Sequence, residues 1–310
     1  MRKLIVAVTV LLIIGAIAFI AFRLIKRPIP TPPGWKANVT TIAGDGSPLT
    51  LSDPFGVAVA RDGTIYFADA GENNRIQRIS PEGTLSTLAG AKEGFSDGVG
   101  TAASFNSPSS LAIDNDGKLF VADTGNNRIR KVTPEGHVTT IAGDGTAGYK
   151  DGPAAQAQFN GPIGVAVDAR GNVYVADSYN DRIRMVAVDG QVTTIAGKGS
   201  PGYADGDRAS AMFDTPCGIV VANDGSLIVA DTGNDRLRKI SVDGSVSTLQ
   251  ITFPSDDYLS NPIGLAFSHD NFLYVTELDR SRILQIAPDT SARQIALDSN
   301  IRFLQAAGIA

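Results

Sequence analysis

The sequence predicts an all-β chain of five tandem units, and three observations carry that prediction. Prolines open the units at Pro54, Pro108, Pro162, Pro216 and Pro262, at intervals of 54, 54, 54 and 46 residues. An acidic residue follows each proline 15 positions later: Asp69, Asp123, Asp177, Asp231 and Glu277. The 33 glycines and 16 prolines are too many for a helical protein and lack a collagen-like period, so they read as punctuation between short strands. A fixed period of this size marks a repeat architecture.

Each unit divides into four strands. The first is small and apolar (GVAVA, SLAID, GVAVD, GIVVA, GLAFS), with Ala58, Ala112, Ala166, Val220 or Ala266 at its centre, as a strand crowded near an axis requires. A Gly-containing turn such as RDGT or NDGK suits a two-residue hairpin. The second strand ends on the repeated acid, as in LFVAD. A polar turn leads to the third, RIRKV in the second unit, and a further hairpin leads to the fourth, VTTIAG. On the third strand Ile129 and Val132 have opposite parity, as do Ile183 and Val186, so both faces of the sheet are covered. Four-stranded antiparallel sheets packed face to face around an axis make a β-propeller, with a straight solenoid of sheets as the competing arrangement.

The ends of the chain extend the pattern. Val39–Gly44 (VTTIAG) reads as a fourth strand without its preceding three, and residues 303–310 (FLQAAGIA) as the first strand of a sixth unit. Residues 39–310 are therefore expected to form a propeller that is incomplete at the C-terminus, part of a six-bladed ring; irregular closure around five blades is the alternative.

The Pro-x-Gly opening, Val-Ala-Asp, Asn-x-Arg-Ile and closing Thr-Ile-Ala-Gly together resemble the NHL-repeat propellers, over about Val39 to Leu297. The fifth copy departs from the pattern, with Glu277 for Asp and LDRSR for the Asn-rich turn. The resemblance implies a propeller used for binding. Related propellers include calcium-dependent lactonases, with acidic and Asn ligands at the central channel, and lyases with several metal-binding histidines.

The acid and a following arginine recur as Asp69/Arg75, Asp123/Arg128, Asp177/Arg182 and Asp231/Arg236. A catalytic group needs individual surroundings and is seldom repeated in every unit. An Asp at a strand end accepts N–H groups of the next turn, and the arginine can pair with it or across to a neighbouring unit. These eight residues are read as structural joints. The strings at Gly143–Gly148 and Gly197–Gly202 fit a dinucleotide glycine pattern, but neither opens a helix in a βαβ unit. Gly94–Gly98 fits a nucleophile elbow, but Lys150 and Ala204 stand where Ser96 would have to recur.

The units lengthen only between the fourth strand and the next proline. In a propeller these inserts share a face with the Asp-to-Arg turn, and long irregular loops are where recognition concentrates. Their tips repeat an aromatic two residues before an acid: Phe95 and Asp97, Tyr149 and Asp151, Tyr203 and Asp205. These six are the candidate ligand-binding residues. No catalytic residue and no cofactor is assigned; a calcium ion, were one bound, would draw on Asn106, Asn160 and Asp214 near the channel mouth. His137 and His269 are too few for a multi-histidine zinc site. Cys217 is alone, so there is no internal disulfide, and it reads as a small buried apolar residue.

Leu4–Phe22 is 19 residues without a charge, roughly 28 Å as a helix, enough to span a membrane. Residues 1–27 are therefore read as a transmembrane anchor, an uncleaved signal, in preference to a signal peptide cleaved near Ala16–Ala18. Residues 28–38 form a proline-rich stalk. Basic residues flank the span on both sides, so charge does not set its orientation; a large domain after an N-terminal span is most often exported. Six of the 27 basic residues lie in the first 36 positions, leaving 21 against 32 acidic ones, a net charge of about −11 for the body. That balance argues against a nucleic-acid partner. The expected function is a non-catalytic, membrane-tethered, extracytoplasmic platform that recognises a protein, glycan or small molecule. The alternative is a metal-dependent lactonase-like hydrolase or lyase at the channel.

Overall fold

The computed structural model describes residue 42, residues 51–254 and residues 256–295. The expected anchor at 1–27, the stalk and the sixth-unit strand at 303–310 lie outside these residues, as does the strand at 39–44 apart from the exposed Ile42. Among the described residues no helix is long and apolar enough to cross a membrane.

Among the described residues the repeats fold into five blades of a β-propeller, every blade a four-stranded antiparallel meander. Blade 1 is β1 (Pro54–Val59), β2 (Ile65–Asp69), β3 (Arg75–Ile79) and β4 (Leu85–Ala89). Blade 2 is β6 (Pro108–Ile113), β7 (Leu119–Asp123), β8 (Arg128–Val132) and β9 (His137–Ala142), with the two-residue β5 (Gly98–Val99) added outside β9. Blade 3 repeats this with β10 (Gly152–Pro153) outside β14 (Gln191–Ala196), after β11 (Pro162–Val167), β12 (Val173–Asp177) and β13 (Arg182–Val186). Blade 4 is β15 (Pro216–Val221), β16 (Leu227–Asp231), β17 (Arg236–Ile240) and β18 (Val246–Thr248). Blade 5 is β19 (Pro262–Phe267), β20 (Leu273–Glu277), β21 (Arg282–Ile286) and β22 (Ala292–Gln294).

In every blade the opening proline pairs with the acid that ends the second strand, and a bulge follows that pair. The acid also pairs in register with the first residue of the third strand, as Asp123 does with Arg128. The 15-residue spacing seen in the sequence is thus the span of one hairpin read from end to end.

The first strands stand around the axis and approach closely. A Cβ on Gly164 would lie 1.9 Å from the Cys217 carbonyl oxygen, and one on Gly218 would lie 2.3 Å from that of Ile263. The crowding is greatest at these glycines, two residues before the small central residue that the sequence singled out. Together the strands enclose an apolar central cavity of about 380 Å³, lined among others by Phe55, Ser110, Ile163, Cys217 and Ile263.

The two faces of the sheets in blades 2, 3 and 4 feed different cores, as the parity of Ile129 and Val132 implied. Val132 packs with Leu111 and Val121 toward blade 1, whereas Ile129 packs with Phe120 and Val175 toward blade 3. Four such interblade cores, described among these residues, join the five blades in series. Phe105, Phe159 and Phe213, contributed by the inserts, are fully buried wedges in three of them. A buried Phe contributes on the order of 2 to 3 kcal/mol by removal of apolar surface from water, so each insert is anchored by its own stem.

Candidate functional site

The loop-rich face is built from the turn after each second strand and from the insert ahead of each blade. In blades 2, 3 and 4 the turn is a single 3-10 turn closed by Asn127, Asp181 or Asp235 in the left-handed region, at φ 52, 50 and 55°. Short polar side chains tolerate that conformation because they bond locally. Here they also reach the next blade. The side-chain oxygens of Asn127, Asp181 and Asp235 accept the N–H of Gly161, Thr215 and Asn261 at 2.9, 2.9 and 2.7 Å. The hydroxyls of Thr124, Ser178 and Thr232 donate to the carbonyls of Pro162, Pro216 and Pro262 at 2.7, 2.6 and 2.7 Å. The repeated string therefore seals each blade to its successor.

Asp123 is fully buried. Its Oδ1 accepts the Asn106 N–H at 2.8 Å, and its Oδ2 accepts the Asn126 amide at 2.9 Å and Arg130 Nη1 at 2.5 Å. Asp177 with Arg184, and Asp231 with Arg238, repeat the arrangement at 2.7 Å. Burial pushes these three carboxyls up, against the hydrogen bonds and the guanidinium that hold them down. The expected pairing with Arg128, Arg182 and Arg236 is corrected here: the ion-pair partner in blades 2 to 4 is the arginine two positions further along. Both arginines share one face of the strand, but the inner side chain runs through the core back to the carboxylate. The outer one leans over the aromatic tip. Only in blade 1 does the expected pair form, Arg75 Nε donating to Asp69 Oδ2 at 2.9 Å, because Gln77 stands at the inner position. The signal overlooked in the sequence was the Arg-x-Arg of RIRKV, RIRMV and RLRKI, absent from RIQRI and RILQI.

The inner arginine gathers the insert as well. Arg130 Nη2 donates to the Ser96 carbonyl and to Asp97 Oδ1, both at 2.8 Å, and Nη1 reaches the Ser104 carbonyl at 3.1 Å. Its guanidinium lies between the rings of Phe95 and Phe105, 4.9 and 5.1 Å from their centroids. Arg184 and Arg238 do the same with Tyr149 and Phe159, and with Tyr203 and Phe213. Asp97 also accepts the N–H and the hydroxyl of Thr140. Although burial works upward on Asp97, the Thr140 N–H and Arg130 hold its carboxyl below the usual range, and Arg238 with Thr248 does so for Asp205. Asp151 sits at the corresponding place, 2.6 Å from Arg184 Nη2.

The outer arginines cap the same aromatics. Arg128, Arg182 and Arg236 lie 3.8, 3.8 and 4.2 Å from the ring centroids of Phe95, Tyr149 and Tyr203. Blade 5 adds Arg280 over Tyr258 at 3.9 Å. Each of the three insert aromatics keeps nearly half its surface in solvent. The six candidate binding residues therefore form three equivalent tips, one per blade, each fixed from below by a buried arginine.

Asn106, Asn160 and Asp214 sit in separate blades. Each donates its backbone N–H to its own strand-end aspartate at 2.8 Å, and each accepts an N–H from the following turn. Among the described residues there is no group of three or more His, Cys, Asp or Glu side chains able to hold a metal. His137 and His269 are exposed, and Cys217 is buried in the channel wall, where burial pushes its thiol up.

Comparison with known proteins follows the same outline. The NHL repeat profile matches residues 105–132 and 159–184. The chain is 32% identical over 166 residues to Protein SUPPRESSOR OF QUENCHING 1, chloroplastic, of Arabidopsis thaliana, covering 48% of this chain and 16% of that protein. It is 28% identical over 257 residues to Teneurin-3 of Danio rerio, covering 70% and 9%. With NHL repeat-containing protein 2 of Homo sapiens it shares 27% over 251 residues, covering 75% and 34%. The chain thus spans between 9% and 34% of the length of these relatives. Among solved structures, a streptogramin B lyase superposes with TM-score 0.55 at 16% identity, covering 80% of this chain and 70% of that one. A putative gluconolactonase superposes with TM-score 0.58 at 14% identity, covering 83% and 81%. At those identities the likeness is one of fold.

Proposed function

We propose that this chain, which belongs to the NHL-repeat β-propellers, is a rigid platform that binds a protein partner on its loop-rich face. The observation that carries the reading is the row of half-exposed aromatic tips, Phe95, Tyr149 and Tyr203, each stacked by an arginine and seated on a buried ion-pair ladder. Aromatic and arginine side chains held in fixed rotamers dominate protein interfaces because they bury large area at small entropic cost. The ladders remove that cost before any partner arrives. The apolar span at residues 4–22 would tether the platform to a membrane on the extracytoplasmic side. The strand-like segments near the two ends would contribute to a sixth blade.

Photo-crosslinking from the two ends of the blades tests the reading. A photoreactive residue at Phe95, Tyr149 or Tyr203 is expected to give a discrete protein adduct in membranes. One at Val188 or Val242, exposed on hairpins at the other end of the blades, is expected to give none. Adducts from Val188 or Val242 alone would sink it. The alternative, a metal-dependent lactonase-type enzyme at the channel, has enzymes of the same fold in its favour. Elemental analysis of the purified chain separates the two, since stoichiometric calcium retained through dialysis would favour the enzyme.

A further inference from the structure

The insert between blades 4 and 5 breaks the repeat, and the break opens a cavity. In blades 2 and 3 the outer arginine is covered by its own blade's following loop: Arg128 Nη2 donates to the Asp144 carbonyl at 2.7 Å, and Arg182 Nη2 to that of Lys198 at 2.9 Å. Gly145 and Gly199 press against those guanidinium groups so closely that a Cβ on either would lie within about 2.2 Å. After β18 the glycine loop is gone, the period falls from 54 to 46 residues, and Leu249, Ile251 and Phe253 run there instead. The space left is a cavity of about 460 Å³ beside Arg236.

Its lining is amphipathic. Leu249, Ile251, Phe253 and the buried Leu259 supply an apolar wall. Arg236 stacks on Tyr203 and gives Nη1 to the Asn234 carbonyl; among the described residues its Nε and Nη2 have no protein partner. Next to it, Asp235 uses Oδ1 for the Asn261 N–H, and Oδ2 has no partner among the described residues. The remaining carboxylate, Asp257, is already committed. Arg282 foremost, with Arg280, holds it down to about 2, so it stays ionised and paired.

We propose that this cavity binds a small zwitterion with an apolar side chain, a free hydrophobic α-amino acid, its carboxylate on Arg236 and its ammonium on Asp235. One uncommitted cation and one uncommitted anion beside an apolar wall match that charge pattern, and a planar guanidinium edge suits a carboxylate. The site stands apart from the protein-binding reading, because Arg128 and Arg182 carry equivalent aromatic tips yet have no such cavity.

Calorimetric titration of the full-length chain in detergent with L-leucine and L-phenylalanine tests it, with N-acetyl-L-leucine and L-leucinamide as controls. Saturable binding of at least one amino acid is expected, at least tenfold weaker for both derivatives. Arg236→Gln and Asp235→Asn are each expected to weaken binding at least tenfold, Arg236→Lys by less, and Arg182→Gln not at all. Absence of saturation by both amino acids overturns the proposal, as do derivatives that bind equally well or Arg182→Gln and Arg236→Gln variants that behave alike.

Discussion

Blades 2, 3 and 4 and blades 1 and 5 solve the same problem differently. All five end the second strand on a buried acid, and an acid out of water needs a partner. The middle blades supply a wholly buried arginine from inside the sheet, set between two carboxylates and two aromatic rings. Blades 1 and 5 have Gln77 and Leu284 at that position and use the first arginine of the third strand instead, Arg75 partly exposed and Arg282 buried. The inner arginine accompanies the long insert because the insert provides its second carboxylate and two carbonyls. Without those groups a guanidinium there would be buried with most of its donors unmet. Blade 5, preceded by the short insert, has Asp257 and Tyr258 as counterparts among the described residues; Arg282 is buried against them and Arg280 is partly exposed.

The largest test of the contrast is Arg184→Ala. It leaves Asp177 buried without its cation and should cost about 3 to 5 kcal/mol in denaturant unfolding. Arg75→Ala, at a partly exposed position, should cost about 1.5 to 3 kcal/mol, the range for a hydrogen bond to a charged group. Equal losses would mean that burial is not what separates the two kinds of blade.

Next comes the seal between blades. Thr124→Val removes the hydroxyl bonded to Pro162 and should cost about 1 kcal/mol in the same assay. Blade 1 has Ala70 at this place, and Ala70→Thr should gain up to that amount if Pro108 is as accessible as Pro162. A loss on adding the hydroxyl would show that blade 1 meets its neighbour with different geometry.

A smaller effect concerns the residue before the proline. Thr215 sits at φ 49°, where Gly161 serves in blade 3. A β-branched residue is strained there, so Thr215→Gly should raise stability by about 0.5 kcal/mol after the flexibility it adds to the unfolded chain. The reverse exchange, Gly161→Thr, should cost more, since a Cβ there would lie 2.4 Å from the Tyr179 ring. Melting temperatures of the two variants decide it.

The last effect is acid sensitivity at blade 5. The Asp257 carboxyl is lowered from 3.8 to about 2, chiefly by Arg282, so its contribution is fully present above pH 4 and is lost as pH falls toward 2. Asp257→Asn should flatten the melting-temperature profile over that window. Asp123, Asp177 and Asp231 act in the opposite sense, because a carboxyl raised by burial favours the folded state as it takes up its proton. An unchanged profile would mean that Arg282 does not govern Asp257.

Much of the architecture could be read from residues alone because its determinants are local. The interval from Pro108 to Asp123 is one hairpin, the parity of Ile129 and Val132 assigns two cores, and the turn strings mark every strand end. The loop tips could be placed on one face for the same reason. What they do could not, because Asp97 meets Arg130 across 33 residues and Arg130 rather than Arg128 takes Asp123. Two arginines of one type on one strand face are equivalent in a sequence. They become different only when packing puts one guanidinium inside the sheet and leaves the other at the solvent edge.

Repeat period, blade content and the polar seam between blades were thus determined by the sequence itself, since each rests on contacts within a hairpin or on strict alternation along a strand. Tertiary structure decided which cation neutralises which buried acid, where glycine must meet a neighbouring carbonyl at the axis, and that a shortened insert exposes Arg236 above an apolar wall. Those outcomes depend on distances between segments tens of residues apart, and only the closed packing of one blade against the next sets such distances.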